Sequence, residues 1–177
     1  MDSEAHKRTY KTIKTMLVIV RIVFMVTIAV SALLFYLYTD MTAIPDNFKA
    51  MEPTIPAGSK LLVRTYPSES SLQRFTVVFF MTGASETGRS IGRIIGMPGE
   101  TVSSQNNIIY INGNPLDETF YPSGHLRAAM PEDIPEYRVA EGKFFILVDN
   151  RGYSGVDSRD FGAITSGNIE SKLLVKF

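Results

Sequence analysis

The run Met16–Tyr38, MLVIVRIVFMVTIAVSALLFYLY, constrains this chain more than any other feature, being apolar except for Arg21, Thr27 and Ser31. It is as long as the roughly 20 residues an α-helix needs to cross the hydrocarbon core of a bilayer. A helix that is hydrophobic on every face has no polar side to turn to water. Arg21 stands near one end, where its stem can carry the guanidinium to the headgroups. Tyr36 and Tyr38 stand at the other end, as interfacial aromatics do. Lys7, Arg8, Lys11 and Lys14 precede the run, and Asp40, Asp46 and Lys49 follow it. The positive-inside rule therefore puts the N-terminus in the cytoplasm and the rest outside. A cleaved secretory signal competes with this reading, but its apolar core would be unusually long, and Leu37-Tyr38-Thr39 is too bulky for a small-x-small cleavage site. The expected organisation is a cytoplasmic basic tail over 1–15, a single transmembrane helix over 16–38 and an extracytoplasmic domain over 39–177, in the cell membrane.

After the anchor, strand signals dominate. Lys60–Tyr66, Phe75–Met81, Arg89–Gly96, Ile108–Asn112, Lys143–Asp149 and Ser171–Phe177 read as strands. Pro56-Ala57-Gly58, Met97-Pro98-Gly99-Glu100 and Asn112-Gly113-Asn114 punctuate them. Asn-Gly behind IIYI is a hairpin signal, and short strands with regular turns indicate a mainly β domain. Tyr121–Glu141, polar and proline-bearing, reads as a long surface excursion with a helical turn near Leu126–Met130. The 18 basic and 18 acidic residues balance, which argues against a nucleic-acid partner. The chain has no cysteine, which excludes disulfides and thiolate metal sites. Its two histidines, His6 and His125, lie in the tail and in a loop-like stretch, so a Ser-His-Asp triad would have to rest on His125. No metal or other cofactor is expected.

Three stretches then stand in order behind the anchor: AMEPTIPAG from Ala50, SIGRIIGMPGE from Ser90 and VDNRGYSGVDSRDFG from Val148. In this order they resemble the type I signal peptidase family over nearly the whole chain. That resemblance implies a transmembrane helix followed by a signal-peptidase-like all-β domain. It also implies a Ser-Lys dyad, in which a serine hydroxyl attacks the peptide carbonyl and a lysine kept neutral by apolar burial takes its proton. In the family the serine stands directly before the Met of Met-x-Pro-Thr, and the lysine directly before the Arg of Arg-Ile-Ile-Gly-x-Pro-Gly. Here those positions hold Ala50 and Gly92, which have no nucleophile or base to offer.

Other departures accompany these two. Phe48 replaces a Ser or Gly near the oxyanion hole, Arg74-Phe75 replaces Gly-Asp, and Val148 replaces a Gly. The spacing from Arg151 to Asp157 is one residue longer than usual. What persists is implied to be framework: Pro53, Thr54, Arg93, Gly96, Pro98, Gly99, Asp149, Asn150, Arg151, Ser154, Asp157, Ser158 and Arg159. Asp157 and Arg159 are expected to pair, on one side of an extended segment. Phe48, Met51, Ile55 and Ile91 are candidate liners of a groove for an extended peptide; ordinary core is the other reading of the last three.

From this the chain is expected not to be an enzyme but a pseudo-enzyme, an inactive serine protease homologue. The resemblance to degenerate homologues encoded with Gram-positive sortase-assembled pili implies a chaperone-like factor in pilus or other cell-surface assembly. Its partners would be an exported precursor such as a pilin, or the sortase. The alternatives are a regulatory partner of an active peptidase or sortase, and a type I signal peptidase inactivated by substitution at Ala50.

Overall fold

The computed structural model describes residues 2–82, 88–118, 129–153 and 157–177. The chain divides into two compact units, Met1–Thr39 and Asp40–Phe177. The first is a helix, α1 (Asp2–Tyr38), that takes in the basic tail as well as the apolar run. Its stretch His6–Tyr38 is long and apolar enough to cross a membrane. Hydroxyls along α1 turn back on the helix itself: Thr27 Oγ1 donates to the Val23 carbonyl at 2.9 Å, and Thr12 and Thr15 do the same four residues back. A polar group satisfied in this way can lie in an apolar medium without a bare hydroxyl.

The second unit is mainly β. Its strands are β1 (Thr39–Ala43), β2 (Lys60–Thr65), β3 (Val77–Met81), β4 (Arg89–Gly96), β5 (Thr101–Gln105), β6 (Ile108–Ile111), β7 (Asn114–Pro115), β8 (Tyr137–Arg138), β9 (Lys143–Leu147), β10 (Ile164–Thr165) and β11 (Ile169–Lys176), with one short helix, α2 (Ser158–Phe161). Seven strands form a sheet in the order β1-β2-β11-β3-β4-β9-β10, and four form a second in the order β7-β6-β5-β8. Central β3 explains itself, because VVFF is apolar throughout and both its faces are covered. Val77 and Phe79 enter one buried cluster with Ile91 and Ala50, while Val78 and Phe80 enter another with Ile94 and Ile146. Such a strand reads as a continuous apolar run rather than an alternating one. A third cluster, with Val102, Ile109, Val139 and Phe145, lies under the small sheet.

The Asn-Gly signal holds. Asn112 (φ 52°) and Gly113 (φ 77°) turn β6 into antiparallel β7, and Asn106 and Asn107 (φ 53° and 66°) turn β5 into β6 in the same way. Both are two-residue turns of the kind that fits strand twist.

Three expectations need correction. The third strand begins at Val77, not Phe75, because Phe75 sits at φ 70°, outside strand geometry. The last begins at Ile169 rather than Ser171. The described part of the 121–141 excursion is not mere surface, since Met130, Ile134 and Val139 are buried and Tyr137–Arg138 pairs with β5. The apolar face of β5 and β6 needs a cover, and this strap supplies it. Residues 121–128, with His125 and Leu126, lie outside the described residues.

Candidate functional site

Residues 45–58 link β1 to β2 as a succession of turns rather than as a strand. Phe48 N–H donates to the Pro45 carbonyl at 3.0 Å, Glu52 to Lys49 at 3.2 Å and Ile55 to Met51 at 2.8 Å, and the Glu52–Pro53 bond is cis. Ala50 and Met51 are fully buried and Lys49 is exposed. Lys49-Ala50 thus lies in a turn, and the lysine points away from where the alanine is packed.

The turn is held from two sides. Asn150, just beyond β9, donates its backbone N–H to the Ala50 carbonyl at 2.9 Å and its side-chain Nδ2 to the Lys49 carbonyl at 3.2 Å. Below it, Arg93 grips the buried Asp149 carboxylate with two bonds, Nε to Oδ1 at 2.9 Å and Nη2 to Oδ2 at 2.6 Å. Nη1 of Arg93 donates to the Phe75 carbonyl at 2.9 Å. Thr54 closes the network, donating to Asp149 and accepting from Arg93 Nη2 at 3.3 Å. A planar guanidinium suits such a bidentate grip. Four expected framework residues, Thr54, Arg93, Asp149 and Asn150, therefore form one assembly around residues 49–54.

Asp157 and Arg159 do pair, with Arg159 Nη2 at 2.9 Å from Asp157 Oδ2, but the geometry is not that of an extended segment. Asp157 is the N-cap of α2, accepting from the Arg159 N–H at 3.0 Å while its other oxygen accepts from the Val148 N–H at 3.0 Å. Arg159 also donates to the carbonyls of Arg151 (2.6 Å) and Tyr153 (2.5 Å), tying the loop after β9 to α2. Ser158 Oγ accepts from the Ile146 N–H at 2.9 Å. Arg151 is buried against Glu118, with Nη2 to Oε1 at 2.5 Å. Nothing in the sequence around Glu118 marks it as a partner thirty-three positions away. Ser154 lies outside the described residues. Gly96 ends β4 opposite Phe145, and Pro98-Gly99 makes the turn into β5.

Gly92 shows why that position has no side chain here. A Cβ built on it falls 2.6 Å from Ile146 Cγ2 and 3.1 Å from the Leu147 carbonyl oxygen. The volume next to residue 92 is taken by the branch of Ile146, a residue the motifs do not single out. Of the candidate groove residues, Met51, Ile55 and Ile91 are 0–2% exposed and belong to one core cluster, so they pack the sheet. Phe48 alone stays half-buried, its ring 6.0 Å from that of Tyr153. Among the described residues no cluster of His, Asp or Glu is arranged to hold a metal ion.

β3 pairs with β4 over Arg89–Arg93, whereas β9 pairs with it only over Arg93–Gly96. Ser90, Ile91 and Gly92 are buried, and the Leu147 carbonyl oxygen packs against Gly92.

Residues 15–177 match the family model described as signal peptidase, peptidase S26. The chain is similar to Signal peptidase I V of Bacillus subtilis, 33% identical over 132 residues that cover 68% of this chain and 76% of the relative. It is also similar to Signal peptidase I of Bacillus caldolyticus, 31% identical with 71% and 72% covered, and to Signal peptidase IB of Staphylococcus aureus, 29% identical with 86% of each chain covered. A crystal structure of a signal peptidase I from Enterococcus faecalis matches 58% of this chain and 96% of its own at 29% identity, with a TM-score of 0.43. These relatives correct the expectation that the chain is not an enzyme, because they are named as signal peptidases I, which are enzymes. The missing side chains at 50 and 92 do not by themselves take it out of an enzyme family. The names of these relatives lend no support to a pseudo-enzyme or to a pilus association.

Proposed function

We propose that this chain, which belongs to the signal peptidase family (peptidase S26), engages exported precursors at the outer face of a membrane, at the turn Lys49–Thr54 and the half-buried ring of Phe48. The observation that carries this is the assembly of Asn150, Asp149, Arg93 and Thr54, which holds that turn in place although positions 50 and 92 carry no nucleophile or base. The placing of the β unit outside rests on the excess of Lys and Arg before Met16.

The precursor is a secreted or surface protein such as a pilin, and the chain helps present it to the assembly machinery, a sortase being the next partner. The resemblance to homologues encoded with sortase-assembled pili supports this finer reading. Peptide-bond cleavage needs a nucleophile and a proton acceptor, and residues 50 and 92 supply neither, so any cleavage draws on other groups of the chain.

The test is a photo-crosslinking amino acid at position 48 of the full-length chain in its own cells, read by mass spectrometry. Exported precursors among the products are the expected result. Products that contain only another peptidase, or no exported protein, refute the reading. Incubating the reconstituted chain with a recovered precursor reads cleavage directly, by the appearance of a shortened product.

A further inference from the structure

A third hold on the Lys49–Thr54 turn comes from the last strand of the large sheet. β11 runs antiparallel to β2, with Lys172 opposite Arg64 and Leu173 opposite Val63. Beyond Leu173 the register slips by one residue, so that Val175 stands opposite Leu62 and Lys176 opposite Leu61. Side chains alternate along a strand, and directly opposed residues share a face of the sheet. By alternation alone Lys176 would project on the same face as Lys172, which donates to the Ser71 carbonyl at 3.0 Å. The extra residue, Leu174, transfers Lys176 to the other face, that of Leu61 and Val63, which pack with Ala50, Met51 and Ile55 in one buried cluster. An extra residue in one strand re-aims the side chains beyond it. Phe177 N–H donates to the Lys60 carbonyl at 2.9 Å, so the shifted register holds past the end of β11.

On that face the Lys176 ammonium donates to the Thr54 carbonyl at 2.7 Å, across 122 positions of sequence. Thr54 is thereby gripped at both ends. Its hydroxyl already belongs to the Asp149–Arg93 network and also donates to the Met51 carbonyl at 3.0 Å. We propose that Lys176, which lies outside all three motif stretches, is a positioning residue of the site: it fixes the Thr54 end of the turn, and with it the way Phe48 is offered to a precursor. The last clause rests on the precursor-binding reading; the tie between Lys176 and Thr54 does not.

The experiment uses the full chain in detergent micelles. Lys176→Met removes the donor and Lys176→Arg retains one. Val175→Lys combined with Lys176→Val keeps the composition but moves the ammonium to the opposite face, and Lys172→Met is the control. The first readout is hydrogen exchange at the Ile55 amide, which shares its peptide group with the Thr54 carbonyl and donates to Met51 at 2.8 Å. Exchange there should quicken about 2–10-fold, the scale of one hydrogen bond, in Lys176→Met and in the exchanged pair. It should not change in Lys176→Arg or Lys172→Met, and the amides of β3 should keep their rates in all four. The second readout is the photo-crosslinker at position 48 in cells: precursor products should fall several-fold in the same two variants and recover with Lys176→Arg. Ile55 exchange that ignores Lys176→Met, or that responds equally to Lys172→Met, overturns the inference. So does an Ile55 response that leaves crosslinking to precursors unchanged, since a tie with no effect on the guest is packing alone. If the unaltered chain crosslinks to no exported protein while Ile55 responds as expected, the precursor reading fails and Lys176 stands as the tie of the turn.

Discussion

Gly92 and Ile146 form a packed pair, and replacing one should be felt only through the other. Gly92→Ala places a methyl carbon 2.6 Å from Ile146 Cγ2, far inside carbon–carbon contact, and 3.1 Å from the Leu147 carbonyl oxygen. Ile146 is β-branched and fully buried, so it has little rotamer freedom with which to give way. Overpacking of this kind costs about 1–3 kcal/mol, and replacing a strand glycine by alanine returns roughly 0.5–1 kcal/mol of chain entropy. Gly92→Ala alone should therefore destabilise the β unit by about 1–2 kcal/mol. In an Ile146→Ala background, itself ~2–5 kcal/mol less stable from the cavity it opens, the methyl enters vacated space. There Gly92→Ala should be neutral, or stabilising by up to ~0.5 kcal/mol, with the Leu147 oxygen still close. The coupling between the two sites is then about 1–2.5 kcal/mol, within the range seen for residues in contact. Urea unfolding of the four proteins in detergent, followed by β-sheet circular dichroism, measures it. Additivity within ~0.5 kcal/mol would refute the packing account of Gly92.

Asp149→Ala leaves the Arg93 guanidinium buried without its main partner, and breaking a buried pair from one side costs about 3–5 kcal/mol; the unfolding midpoint should fall steeply, and Arg93→Met/Asp149→Leu should recover part of it. Asp157→Ala removes the α2 cap and the acceptor of the Val148 N–H together, for a loss of roughly 2–3 kcal/mol. Amide exchange at Val148 and Arg159 should speed up well ahead of that in β3. Gly113→Ala meets no atom within 4 Å, so its cost is only that of a left-handed residue bearing a Cβ, about 1 kcal/mol. Gly113→Asn should restore most of that in the same denaturation assay.

What the sequence made legible depended on how local the cause was. β3 could be read because VVFF is apolar on both faces, and the β6–β7 hairpin because Asn-Gly is a backbone instruction carried by two adjacent residues. β5 could not, because TVSSQ looks like a loop until Ser104 is seen accepting from the Ile134 N–H at 2.6 Å. That bond makes a buried hydroxyl tolerable, and its donor lies thirty positions away. The strap and the two-residue β8 were hidden for the same reason, since their burial is decided by the sheet they cover. In the site, pairing between Asp157 and Arg159 was legible, but its geometry was not, because a four-residue helix leaves almost no periodicity to detect. Glu118 and Ile146 carried no local signal at all; each matters only through a partner supplied by the fold.

Positions 50 and 92 look alike in the sequence, as two motif sites with small residues, but the structure gives them different physical reasons. Ala50 is fully buried while its backbone is held by Asn150, so the turn is fixed through its carbonyl and not through its side chain. A hydroxyl added there asks only whether the tight cluster around Met51 and Val148 can take one more polar atom. Gly92 is a matter of shape, because a neighbouring strand has grown a branch into its space. Gly92→Lys therefore cannot be judged as a single exchange. It must be combined with a residue at 146 that lacks a branch at Cβ, as in Ile146→Leu, while the Leu147 carbonyl stays where the β4–β9 ladder fixes it. Two variants separate the causes: Ala50→Ser with Gly92→Lys, and the same pair with Ile146→Leu added. If the triple variant is well folded where the double variant is not, then Ile146 is what fits this sheet to a glycine at 92. Equal unfolding midpoints for the two would instead place the obstacle at the Leu147 carbonyl, which both retain. In the first case the motif around Gly92 and the strand around Ile146 have to be read as a single unit.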